Sequence, residues 1–178
     1  MKVRYLVYIA IFVALGIVLP LGFHIFGTGL GSIISPMHIP VYLAGAFLGP
    51  LAGTLVGAVT PVLSSFFTGM PPVIPMLPIM FVELVIYGLV IGYLYKHKSL
   101  NIYSSLIISM LLGRIGAGIV VWFLVHVFSI TYLPANPLIF IWGTIVKGLP
   151  GIIIQLILVP LVINYLINYQ SNALRAKV

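Results

Sequence analysis

Hydrophobic residues run through this chain in long blocks, separated by short polar, Gly- or Pro-rich breaks. Within the blocks the apolar residues are continuous and do not alternate, so they predict helices rather than lipid-facing strands. The first block covers residues 5–21, preceded by Lys2 and Arg4. A positive start before a short apolar run also has the form of a signal peptide, but no small-residue cleavage site follows it. A Gly-rich loop, 22–35, carries His24. The second block begins near Pro36 and ends at Gly49-Pro50; the third follows at once, to about Phe67. Pro61 is expected to kink the third, because it deletes a helical donor and crowds the preceding turn. In 69–75, GMPPVIP, three prolines each remove an amide donor, which predicts a stiff loop. The fourth block, 76–95, holds Glu83 and closes with Lys96-His97-Lys98. The fifth, 102–128, holds Arg114, Trp122 and His126. A loop over 129–137 with Tyr132, Pro134 and Asn136 leads to the sixth, 138–168, which contains Lys147, Gln155 and Pro160. Arg175 and Lys177 follow it.

Composition turns these blocks into membrane spans. The chain is 62% hydrophobic and only 5% charged, against roughly 25% charged in a soluble domain. Its mean hydropathy is +1.30. At about 20 residues per span, 178 residues leave almost no extramembrane domain. The predicted fold class is an all-α integral membrane protein, with six transmembrane helices in a single domain over 1–178. Cysteine is absent, so no disulfide or thiolate metal site exists. The net charge of +7 does not read as nucleic-acid binding. The basic residues sit at the ends of apolar runs, as anionic membrane surfaces and topology favour, with no interleaved aromatics. Lys2, Arg4, Lys96, Lys98, Arg175 and Lys177 all fall on one side of a six-span layout, and the three opposite loops carry no Lys or Arg. The positive-inside rule then puts both termini in the cytoplasm.

Three ionic side chains remain inside the blocks. Glu83, the only acidic residue, lies about eight residues from the outer end of its span, Lys147 about nine, and Arg114 about twelve from its inner end. At 1.5 Å per residue each is on the order of 12–18 Å deep, near the middle of a core about 30 Å thick. A charge there costs a few kcal/mol or more. A structural ion pair locking the bundle accounts for Glu83 and one partner, but two cations face one anion. The surplus charge must lose its proton (open to Lys, not to Arg), find backbone carbonyls, or meet a ligand. Lys147 is the better candidate for the free cation, and its substrate then carries a carboxylate or several acceptors.

His38, at the start of the second block, is a candidate ligand contact or a helix-end hydrogen bonder. Tyr42, Tyr87, Trp122 and Trp142 could stack on a flat ring, while the two Trp residues equally suit an interfacial belt. Gln155 suits a helix–helix hydrogen bond or a ligand contact. Ala10 and Ala14 form an A-x-x-x-A spacing, which allows close helix approach, either inside the bundle or to a partner. His24 and His126 have no carboxylate nearby, so no metal is expected. No phosphate-binding loop, nucleophile–base pair or H-E-x-x-H is present, so the chain hydrolyses no ATP itself and reads as no enzyme, with no cofactor. Six spans without an inverted repeat are few for a self-contained secondary transporter.

The segments SPMHIPVYLAGAFLGP, PVLSSFFTGMPP, MFVELVIYG, LLGRIGAG and KGLPGIIIQLILVPL, with Ala10-x-x-x-Ala14, carry a resemblance over essentially the whole chain. It resembles the substrate-binding S components of energy-coupling factor (ECF) vitamin transporters. The resemblance implies six membrane helices that bind a water-soluble vitamin or precursor towards the outer face, gated by the loops after the first and third spans. It also implies docking, through Ala10 and Ala14, onto a transmembrane coupling protein that carries two cytoplasmic ATPases, and toppling within the bilayer to release cargo. No signature fixes the vitamin: niacin, pantothenate, pyridoxine- or thiamine-type precursors and a cobalamin precursor are all open, with the charge balance favouring an anion. Two rival readings stand beside it: a proton-linked carrier using Glu83, and a membrane scaffold whose ionic triad is purely structural.

Overall fold

The computed structural model describes residues 3–24, 34–130, 133, 134 and 136–175, the side chains of 23, 24 and 170–175 excepted. Lys2, Tyr132, Lys177, most of the 22–35 loop and the side chains of His24 and Arg175 therefore lie outside the described residues. The described helices are α1 (Val3–His24), α2 (His38–Leu48), α3 (Pro50–Thr68), α4 (Met76–Ile91), α5 (Ile102–Phe128) and α6 (Pro137–Arg175). A π-helical turn, Gly92–His97, continues α4. No strand occurs among the described residues.

Five of these helices, counting α4 with its π turn, are long and apolar enough to cross a membrane. The second block differs. It is helical where predicted, but α2 has 11 residues, about 16 Å, roughly half the hydrocarbon thickness. Pro36 precedes it, and at its other end Gly49 takes φ 110°, a backbone conformation open mainly to glycine. Lys96 Nζ donates to the Phe47 carbonyl at 2.6 Å, satisfying a last-turn acceptor of α2. The carboxyl end of α2 therefore lies at the Lys96 end of the bundle, and its amino end, His38, stops inside it.

Glycine sets how closely the central helices approach. A Cβ on Gly53 or Gly88 would run into the backbone of the other, and one on Gly45 would meet the Gly88 carbonyl at 2.6 Å. Gly57 faces the Leu84 carbonyl in the same way, and Gly92 faces Pro50. Without a hydrophobic drive between lipid-embedded helices, such close contact supplies much of their attraction. α1 joins this core through Phe12, Val13 and Gly16, the last against Thr60. α5 covers α4, with Gly113 against the Tyr87 ring and Gly116 against Ile86. Pro20, Pro61, Pro150 and Pro160 all lie inside continuous helices. α6, at 39 residues, is about 58 Å long and outruns any bilayer core.

Candidate ligand-binding site

At the end of the bundle away from Lys96, a cavity of about 690 Å³ opens between the helix ends and the loops. Its walls come from Pro20 and Leu21 of α1, His38 of α2, Ser64 and Thr68 of α3, Met76, Ile79, Met80 and Glu83 of α4, Arg114 of α5, and Ile139, Phe140, Gly143, Thr144, Lys147 and Gly148 of α6. Met70, Pro71 and Pro72 of the 69–75 loop and Leu133 and Pro134 of the next loop complete it. The last turn of α3 holds the Pro-rich loop in place. Ser64 Oγ donates to the Met70 carbonyl and Ser65 Oγ to the Pro71 carbonyl, each at 2.7 Å. A segment short of amide donors thus has its carbonyls satisfied from the neighbouring helix.

Glu83 and Arg114 meet within this cavity. Arg114 Nη1 lies 2.8 Å from Glu83 Oε1, with both side chains largely buried. Tyr87, one helical turn further along α4, donates its hydroxyl to the same carboxylate oxygen at 2.5 Å. The Tyr87 ring is in turn boxed by His38, edge-on at 5.3 Å, and by Tyr42 at 5.0 Å. The buried Tyr42 hydroxyl lies close to Tyr87 and Ser109 without forming a hydrogen bond of good geometry. Arg114 Nη2 points towards α6, where a Cβ on Gly148 would stand 3.6 Å from it. Next to Gly148, Lys147 lines the cavity and makes no ion pair among the described residues.

The eight candidate contacts thus separate. Glu83, Arg114, Lys147 and His38 line the cavity, and Tyr87 lies behind Glu83. Gln155 is buried against the residues that lead into α2, its Nε2 3.5 Å from the Ile34 carbonyl, and does not line the cavity. Trp122 is on the outer surface of α5, stacked on His126 at 4.9 Å. Trp142 is two-thirds exposed on α6, beside a shallow apolar groove that shares Ile139, Gly143 and Lys147 with the cavity. Neither Trp residue lines the cavity. Ala10 and Ala14 are exposed on the outward side of α1, opposite Phe12 and Val13. Sequence reasoning missed Ser64, Thr68, Met76, Met80 and Thr144. The spacing of Ser64 with Thr68, and of Thr144 with Lys147, puts each pair on one helical face, a signal that the residue order alone carries.

Apolar helices long enough to cross a bilayer, with a charged cavity at one end, define a polytopic membrane protein rather than a soluble bundle. Within that class, a family model described as "ECF transporter, substrate-specific component" matches residues 4–163, and the chain belongs to that family. Transport and membrane location follow from that membership together with the apolar helices. So does association with a small-molecule substrate and with an energy-coupling module of transmembrane protein and ATPases. Comparison with curated proteins gives no match, and neither does comparison with solved structures.

Proposed function

We propose that this chain binds a water-soluble vitamin or vitamin precursor in the cavity and delivers it to the coupling protein and its two cytoplasmic ATPases. One observation carries the reading. Among the described residues, Lys147 lines a cavity whose only other ionic side chains, Glu83 and Arg114, neutralise each other. Lys147, exposed on the cavity wall, is the side chain left to meet an anionic ligand there. The volume falls within the range of about 300–1,000 Å³ usual for small-molecule sites.

In this reading the chain is one membrane domain with six crossings and both termini cytoplasmic. The second crossing is the block from Pro36 to Gly49, of which α2 is the helical part. Lys96, Lys98 and the Gly49 turn mark the cytoplasmic end, and the 69–75 and 129–136 loops the outer end. Ala10 and Ala14, exposed among larger residues such as Val7 and Val18, offer a shallow face to the coupling protein.

The test is to purify the chain, identify co-purifying small molecules by mass spectrometry, and measure uptake with and without ATP and the coupling module. A bound vitamin-like molecule, with uptake dependent on both, is expected. No bound molecule and no module would favour the scaffold reading. Uptake by the chain alone, collapsed by an uncoupler, would favour the carrier.

A further inference from the structure

Resting on the reading above, we infer that the ligand is a monoanion with a non-planar, aliphatic body, its carboxylate held at α6 between Lys147 and the free edge of Arg114. The charges of the site argue for the monoanion. Glu83 and Arg114 cancel, and Lys147 leaves one positive charge among the described side chains lining the cavity. A monoanion brings the site to neutrality. A phosphorylated dianion leaves a net negative charge, and a cation adds a second positive one, so each is less well matched to the lining than a monoanion.

The placement follows from Arg114. Its Nη1 is committed to Glu83, while Nη2 faces Gly148, the residue next to Lys147. Because Gly148 has no side chain, the guanidinium edge and the lysine share one stretch of α6 wall. An Arg edge and a Lys together can bind one carboxylate from two sides.

The body of the ligand is argued from the remaining wall. Opposite α6 lie Met76, Ile79 and Met80 of α4, with Met37 and Met70 nearby. These are flexible or aliphatic surfaces that mould to an irregular chain. The hydroxyls of Ser64, Thr68 and Thr144 line the same space, although each already donates to a backbone carbonyl and offers chiefly its lone pairs. Among the described lining residues the aromatic rings are Phe140 and His38, and the His38 ring is set edge-on against Tyr87. A flat heteroaromatic ligand wants rings against its faces, and the described wall offers little of that.

The experiment is a calorimetric binding series on the purified full chain in detergent, first stripped of any bound molecule. The probes are pantothenate, its alcohol panthenol, nicotinate, thiamine and 4′-phosphopantothenate. Pantothenate, the aliphatic monocarboxylate, is expected to bind at least about a hundredfold more tightly than panthenol, which lacks the charge-assisted contact. In Lys147→Gln the acid-to-alcohol ratio should fall at least about tenfold, with the thermal midpoint of the ligand-free protein unchanged. Tightest binding of thiamine, nicotinate or the phosphorylated compound would overturn this inference and leave the transport reading standing. So would an unchanged ratio in the variant. Binding of none of the five, with no vitamin-like molecule released by the stripping step, would overturn both.

Discussion

Glu83 accepts from two donors at one oxygen, Arg114 Nη1 at 2.8 Å and the Tyr87 hydroxyl at 2.5 Å. The two donors differ in what their loss, or that of Glu83, leaves behind. Glu83→Gln leaves Arg114 as an uncompensated buried charge, which costs about 3–5 kcal/mol for a buried pair. Tyr87→Phe deletes one hydrogen bond to a charged group, about 1.5–3 kcal/mol. Thermal unfolding in detergent should rank wild type above Tyr87→Phe, and that above Glu83→Gln. Equal midpoints for wild type and Glu83→Gln would show that the pair does not hold the bundle. The sequence made Glu83, Arg114 and Lys147 visible because a charge inside an apolar block is costly and stands out against it. Helical rise, which converts residue count into distance, also predicts one shared depth, and all three line one cavity. The sequence did not say which cation pairs with Glu83. That depends on the rotation of α5 and α6 about their own axes, which apolar blocks on all sides leave undetermined. The same ambiguity explains Trp122 and Trp142, whose positions along the chain fit a pocket but whose side chains face outward.

At the level of elements, the bundle is closed by backbone-to-backbone approach at Gly53, Gly57 and Gly88. Any side chain at Gly88 meets the Gly53 carbonyl, which is backbone and cannot swing away. Gly88→Val should therefore separate α3 from α4 and abolish a monodisperse peak on size exclusion. Gly143→Ala, where a Cβ meets nothing within 4 Å, should leave the peak intact. A well-behaved Gly88→Val protein would contradict the arrangement of these two helices. The order of the described helices was legible, since each break in the apolar pattern is a place where backbone groups need water or side-chain partners. The shortness of α2 was legible as well, since its block is bounded by Pro36 and Gly49-Pro50 and the helix runs His38–Leu48. That shortness has a consequence for the site. It stops His38 beside Tyr87 inside the bundle rather than at an outer surface.

For the molecule as a whole, the two ends differ in kind. One end is tied by a tight glycine turn and a lysine cap on α2. The other has loops, one of them pinned by Ser64 and Ser65, beside a cavity lined in part by an ion pair. This asymmetry suits a protein that takes up a solute from one side and relies on partners for energy. The central claim is that the ligand sits in this cavity, and the chain's lack of cysteine allows a direct test. Met80→Cys places a single thiol in the cavity wall. Its labelling by a water-soluble maleimide is followed with and without a saturating amount of the small molecule that mass spectrometry identifies in the purified protein. Labelling slowed at least about tenfold by the ligand is the predicted result, as expected when a bound state excludes the reagent. Labelling at the same rate with the ligand bound would contradict the account.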